Sequence, residues 1–301
     1  MTTNLSTWDV ASIDVDWLNA ALSSRFSKEI IKFTASPLTE IVSLGCLHRI
    51  TLYFSDDSTS SCFLKQESGN PGANKFATRA KCFSSEAKFY GDLSGLCKAQ
   101  VPTSYYATVS PEGDATTLLI HDVPHSFAGT KHTDLTLAQL KAAVIELGKF
   151  HASFLDDEKA LGAGMPPATQ HFSLFNVGAL LPVFVSFWND LIEEYAEDEE
   201  EGAAKEGTEK PKDGGEELGK NKVSAVFSHC ALNHANYLGL LEMAGPPSLI
   251  HGEYSAANLL FGEGSEALGE GSVQATIVDF QTLYIGELSV LDLRLLVVCV
   301  M

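Results

Sequence analysis

Cations are scarce in this chain. Its 301 residues hold 20 lysines and arginines against 39 aspartates and glutamates, a formal charge of −19. That shortage excludes non-specific nucleic-acid binding, which draws its affinity from cationic contacts to phosphate, and it excludes a polybasic membrane patch. A local cationic pocket for a phosphorylated ligand is still allowed. The six cysteines are scattered and form no C-x-x-C pair, so they read as reduced, mostly packed thiols. The first residues lack a basic n-region and an apolar h-region, so no signal peptide is read there. No run approaches the roughly 20 apolar residues of a membrane span, and Asp292 and Arg294 interrupt the apolar stretch Leu288–Met301. The expectation is a cytoplasmic protein with neither a membrane nor a nucleic acid among its partners.

Apolar residues are plentiful. At 45% hydrophobic, the chain can bury a sizeable core without staples, as one large domain or two ordinary ones. Asp14 to Phe26 has the spacing of a short amphipathic helix. Strand-like runs follow at Ile30–Ala35, Ile50–Phe54 and Cys62–Lys65, separated by turn signals. Gly69–Gly72 reads as a polar loop, and a helix is predicted from Lys81 to Leu96. Two more strands fit Val101–Val109 and Thr116–Ile120. The first 120 residues thus read as a mostly antiparallel sheet with one inserted helix.

The remainder reads as mainly helical. Thr133 is placed to cap a helix carrying Leu137, Leu140, Val144, Leu147 and Phe154. Further helices fit Leu174–Tyr195 and Val223–Met243. Between Glu193 and Glu217 twelve acids face three lysines. Such a stretch cannot bury enough apolar surface to offset its ordering entropy, so residues 197–222 are predicted to be a disordered acidic insertion.

The chemistry concentrates in two places. From Leu249 to Phe261 an apolar pair runs into His251-Gly252-Glu253, with Asn258 five residues after the glutamate. An apolar strand, Ala275–Val278, then ends in Asp279-Phe280-Gln281. Phosphoryl transfer calls for such a set: one group orients the attacking hydroxyl, while an amide and a carboxylate hold Mg²⁺ against the phosphates. Mg²⁺ is hard and prefers oxygen ligands, which suits Asn258 and Asp279.

HGExxxxN followed by VDFQ resembles the small-molecule kinase branch of the protein-kinase-like fold, which holds aminoglycoside phosphotransferases, choline kinases and the CHK kinase-like or ecdysteroid-kinase-like proteins. DFQ points toward the last group. Four further fragments occur in order. Cys62-Phe63-Leu64-Lys65 is a strand ending in a lysine. Ser85-Glu86-Ala87-Lys88-Phe89-Tyr90 resembles an E-x-x-F-Y helix. Val101-Pro102 and Leu118–Val123 resemble a VP strand and an LLxED hinge. Leu147–Phe154 resembles an LAxLHAxFW helix, and Asp292-Leu293 matches a later DL pair.

The resemblance implies an α+β, two-lobed protein-kinase-like fold. The small antiparallel-sheet lobe with one helix would span 1–121 and bind nucleotide. The larger, mainly helical catalytic lobe would span 122–301 and be truncated, since relatives carry further C-terminal helices. It implies an ATP-dependent phosphotransferase acting on a hydroxyl of a small molecule, a choline-like, steroid or aminoglycoside-like alcohol. Lys65, steered by Glu86, would contact the phosphates, and Asp122 would lie at the nucleotide-binding hinge. Asn258 and Asp279 would hold Mg²⁺, and Glu253 would orient the acceptor.

The sequence departs from the pattern in places. Glu253 stands where the family has aspartate, and His121 where the hinge has glutamate. The turn Ser43–Leu47, which would cover the phosphates, offers one glycine. The site is therefore either an active kinase centre or a catalytically impaired nucleotide- or protein-binding module. Simpler readings exist for each residue: Lys65 as a surface lysine, Glu86 as a solvated helix charge, Asp279 as a strand-exit cap, Asn258 as a loop hydrogen-bonder. His229, Cys230 and His234 lack a fourth ligand for zinc.

Overall fold

The computed structural model describes residues 13–38, 44–124, 127–128, 135–168, 170, 245–263 and 272–287. The chain divides into two compact units, 1–167 with 245–301, and 168–244. Every element below belongs to the first. The predicted helices at 174–195 and 223–243, the acidic insertion at 197–222, His229, Cys230, His234 and Asp292 lie outside the described residues.

Five strands form one antiparallel sheet: β1 (Ile30–Pro37), β2 (Gly45–Phe54), β3 (Thr59–Glu67), β4 (Ser104–Val109) and β5 (Thr116–His121), in the order β1-β2-β3-β5-β4. Successive side chains of a strand point to opposite faces, and both faces of this sheet are covered. On one, Ile50, Leu52, Cys62, Leu64 and Leu119 pack with Trp17, Leu18 and Leu22 of helix α1 (Val15–Leu22). On the other, Phe63, Leu118 and Ile120 join a larger core with Phe89, Phe150, Phe261 and Phe280. Lys65 therefore shares the face of Phe63, toward the larger core.

Helix α1 stops at Leu22, short of the expected Phe26, and Asp14 caps it by accepting from the Trp17 amide. Where a polar loop was expected after Gly69, the chain forms α2 (Pro71–Arg79). Proline at a first helical turn loses no hydrogen bond, and the Asn70 side chain accepts from the Gly72 and Ala73 amides. The loop signals were a helix start. The predicted helix Lys81–Leu96 is three segments: α3 (Cys82–Lys88), a π-helical turn Phe89–Leu93 and a 3₁₀ turn Ser94–Leu96.

Beyond β5 the described elements are β6 (Phe127–Ala128), α4 (Leu137–Phe154), α5 (Glu158–Leu161), β7 (Pro247–Ile250), β8 (Leu259–Glu263), β9 (Val273–Ile277) and β10 (Tyr284–Glu287). Thr136, not Thr133, caps α4, in a reciprocal capping box with Gln139. The box satisfies two otherwise orphaned donors. Strands β6, β8 and β9 form one small sheet, β7 and β10 another. Cys46, Cys62, Cys82 and Cys97 are free thiols. Among the described residues no helix is long and apolar enough to cross a membrane.

Candidate active site

Lys65 enters the site from β3, directly across from Leu47 of β2. Its Nζ is 2.9 Å from Glu86 Oε1 of α3 and 2.6 Å from Asp279 Oδ1, which follows β9. Two carboxylates, 21 and 214 positions from the lysine, thus meet at one ammonium group. Burial disfavours the charged lysine, but the two carboxylates outweigh it and hold the ammonium above its ordinary range. Glu86 responds the opposite way. Burial pushes its carboxyl up to about 7, with Asp279 adding and Lys65 opposing.

Asp279 holds its place through the backbone. Its φ of 65° and ψ of 74° are left-handed, a region non-glycine residues seldom occupy. That conformation sends the carboxylate to Lys65 while the next amide, Phe280 N–H, donates to Glu86 Oε1 at 3.2 Å. Cys82 at the start of α3 lies in the field of the same charges. Burial, helped by Asp279 and Glu86, pushes its thiol up to about 12, so it stays protonated and unreactive.

The Glu253 loop is built beside this centre. His251 Nε2 is 3.1 Å from the Val278 carbonyl, and Thr282 Oγ1 donates to the His251 carbonyl at 2.9 Å. Gly252 has φ +82°, and a Cβ there would come within 2.2 Å of the Thr282 carbonyl oxygen. Only glycine fits that position. Asn258 Nδ2 donates to the Glu253 carbonyl at 2.9 Å, and the Val278 amide donates to the Asn258 carbonyl at 3.0 Å. Asn258 therefore closes the Glu253 loop with its amide nitrogen and lies one pairing step from Asp279. This arrangement leaves the side-chain oxygen of Asn258 as the atom that could ligate a cation.

The donors suit a hard cation, since an amide oxygen and a carboxylate border the paired ends of β8 and β9. No cluster of three or more His, Cys, Asp or Glu occurs among the described residues. Mg²⁺ is commonly held by one or two protein oxygens with substrate phosphates completing its shell. Such an ion would be held by Asn258 and Asp279 and would neutralise charge on a transferring phosphoryl group.

Asp122 stands apart from this cluster. Its carboxylate accepts from Ser61 Oγ at 2.7 Å and pairs with Arg49 Nε at 2.9 Å, with the Arg49 guanidinium 5.0 Å over the Phe63 ring. It ties the end of β5 to β2 and β3. Two more buried side chains stand next to the Lys65 centre, Gln281, which the sequence leaves as readily structural as functional, and Tyr90, which it shows only as part of the helix motif. Gln281, 2% exposed, has its amide 3.7 Å from where a Gly45 Cβ would be. Tyr90, equally buried, sets its ring edge-on to Phe280 at 5.6 Å. The Phe-Tyr pair after Glu86 was the signal for the second, and the DFQ triplet was the signal for the first.

The profile of the ecdysteroid kinase-like family, EcKL, matches residues 44–301. The chain belongs to the ecdysteroid kinase-like family. The EcKL match begins at the turn before β2 and runs through every residue of the site above. No curated protein sequence matches this EcKL chain significantly. Similar solved structures include the GDP complex of a mutant aminoglycoside 2'-phosphotransferase-IIIa, at 16% identity over 91% of this chain and 74% of that one, TM-score 0.44. Another is the GDP and kanamycin complex of APH(2")-IIia, at 14% identity over 90% and 74%, TM-score 0.44.

Proposed function

We propose that the chain is an ATP-dependent, Mg²⁺-requiring phosphotransferase that moves the γ-phosphate to a hydroxyl of a small molecule, a choline-like, steroid or aminoglycoside-like alcohol. The observation that carries this reading is the convergence of Glu86 and Asp279 on the Lys65 ammonium. A lysine held above its ordinary range stays charged at neutral pH and suits a triphosphate. Family membership supports the small-molecule acceptor. Residues 1–121 would form the nucleotide lobe and 122–301 the catalytic lobe.

In this reading Lys65, steadied by Glu86, contacts the phosphates. Asn258 and Asp279 hold the metal ion, and Glu253 receives the acceptor hydroxyl's hydrogen bond and orients its oxygen. Asp122 acts at the nucleotide hinge by fixing the segment after β5. Such catalysis is mostly positioning and electrostatic stabilisation. The test is ATP-induced thermal stabilisation with and without Mg²⁺, in wild type and Asp279→Ala, followed by transfer of labelled γ-phosphate to a panel of alcohols. Stabilisation that needs both Mg²⁺ and Asp279 is expected, and its absence in wild type overturns the proposal.

A second reading rests on Glu253. With glutamate where the family carries aspartate, the chain would bind nucleotide as an impaired, pseudokinase-type module. Mg²⁺-ATP stabilisation without transfer to any alcohol selects it.

A further inference from the structure

Strand β4 is an edge of the five-stranded sheet, paired with β5 alone. None of its six residues is buried, whereas five of the six in β5 are. Alongside it runs a groove of about 730 Å³ whose lining includes every residue from Cys97 to Ala107. Successive strand side chains point to opposite faces, so consecutive residues can share one groove only if it follows the backbone edge. The opposite wall is the π-helical and 3₁₀ segment that continues α3, at Tyr90, Gly91, Ser94 and Gly95.

The ladder fixes which backbone groups face this groove. The Ser110 amide bonds the Ala115 carbonyl, and the register continues Val109↔Thr116, Thr108↔Thr117, Ala107↔Leu118 and Tyr106↔Leu119 before it shifts between Tyr106 and Ser104. Hydrogen-bonded and non-hydrogen-bonded pairs alternate in an antiparallel ladder. Thr108 therefore turns its backbone groups toward β5, and Ala107 turns its own outward. An edge with outward N–H and C=O groups is a template for another strand.

Charge selects the occupant. In a chain with nearly twice as many acids as bases, the groove lining carries Arg25 and Lys98 and, among the described residues, no aspartate or glutamate. Arg25 donates to the Ser104 carbonyl at 3.0 Å at the start of the edge. The Glu146 carboxylate, which accepts from the Gln100 amide of the lining at 2.7 Å, is paired with Lys149, and at physiological salt charges beyond roughly 8 Å are screened, so Arg25 and Lys98 set the sign of the groove. A second copy would bring like cations together along the shared edge.

We propose that the β4 edge groove is a docking site for an extended acidic peptide of a partner protein, which adds to the sheet as a sixth strand. Its backbone pairs with Ala107, and its carboxylates lie against Arg25 and Lys98.

The test uses the intact chain and a fluorescein-labelled octapeptide of alternating valine and glutamate, read by anisotropy. Saturable binding is expected, with none for the valine–lysine counterpart. The double variant Arg25→Gln/Lys98→Gln should bind roughly tenfold more weakly. Ala107→Pro removes one outward N–H at an edge position that tolerates proline. It should abolish binding while leaving the thermal midpoint and Mg²⁺-ATP stabilisation in place. Absence of saturable binding, equal binding of the lysine peptide, or indifference to both variants overturns the proposal. So does a wild-type dimer in sedimentation that Ala107→Pro dissolves, since the edge would then belong to a second copy.

Discussion

Phe280 lies flat on Phe89, ring centroids 3.8 Å apart and planes 21° from parallel. Phe89 follows α3, which carries Glu86, and Phe280 follows Asp279. The ring pair and the shared lysine thus tie together the same two segments. Aromatic pairing adds about 0.5–1.5 kcal/mol beyond area burial. It also makes the carboxylate geometry part of the hydrophobic core, where packing is least forgiving.

Replacing Lys65 with methionine leaves the buried Glu86 carboxylate without its cation. Breaking a buried pair from one side costs about 3–5 kcal/mol. Urea unfolding of Lys65→Met should show such a loss, and adding Glu86→Gln should recover much of it. Equal stability of the single variant and wild type would show that the ammonium does not hold the centre together.

Gly252→Ala places a Cβ against the Thr282 carbonyl at a left-handed φ. Strain of this kind costs about 1–3 kcal/mol before the collision is relieved. The variant should unfold at clearly lower urea and lose phosphate transfer, because the Glu253 loop turns on this residue.

Glu253→Asp shortens the side chain by one methylene. Misplacement by about 1 Å can cost on the order of 10²-fold in rate. If glutamate is the under-tuned element, turnover should rise by up to that factor with little change in nucleotide affinity. Steady-state kinetics with labelled ATP would read it, and an unchanged null rate would select the binding-module reading.

Glu86 makes stability depend on pH. Its folded-state value is raised from the ordinary 4.5 to about 7, so the folded state holds the extra proton between those limits. Its favourable contribution is complete below about 4.5 and is lost as pH rises through about 7. Lys65 is raised from 10.5, so its contribution is constant across that window. Urea unfolding at pH 5, 6 and 7 should show a decline in wild type that flattens in Glu86→Gln.

The meeting of Lys65, Glu86 and Asp279 was legible before the fold was known. A lysine closing an apolar strand, a glutamate on the following helix and an aspartate after a later strand occur in an order that few folds share. Local signals were less reliable. Asn70-Pro71-Gly72 looks like a turn, yet the same residues start α2, because asparagine caps and proline tolerates a first helical turn. The π-helical turn at Phe89–Leu93 has no local signature, and its first two residues meet Phe280 from far along the chain. Thr136 prevailed over Thr133 because Gln139 stands three residues after it and completes the reciprocal cap. The role of Gly252 depends on Thr282, thirty positions away, and no window of sequence shows it.

The left-handed backbone at Asp279 lies between two main-chain bonds, Val278 N–H to the Asn258 carbonyl and Phe280 N–H to Glu86. The chain is thus held on either side of the residue, and the aim of its carboxylate is set by the backbone. A displacement of the Asn258 turn or of α3 would therefore be passed on to the Lys65 contact even where no side chain of the trio is changed.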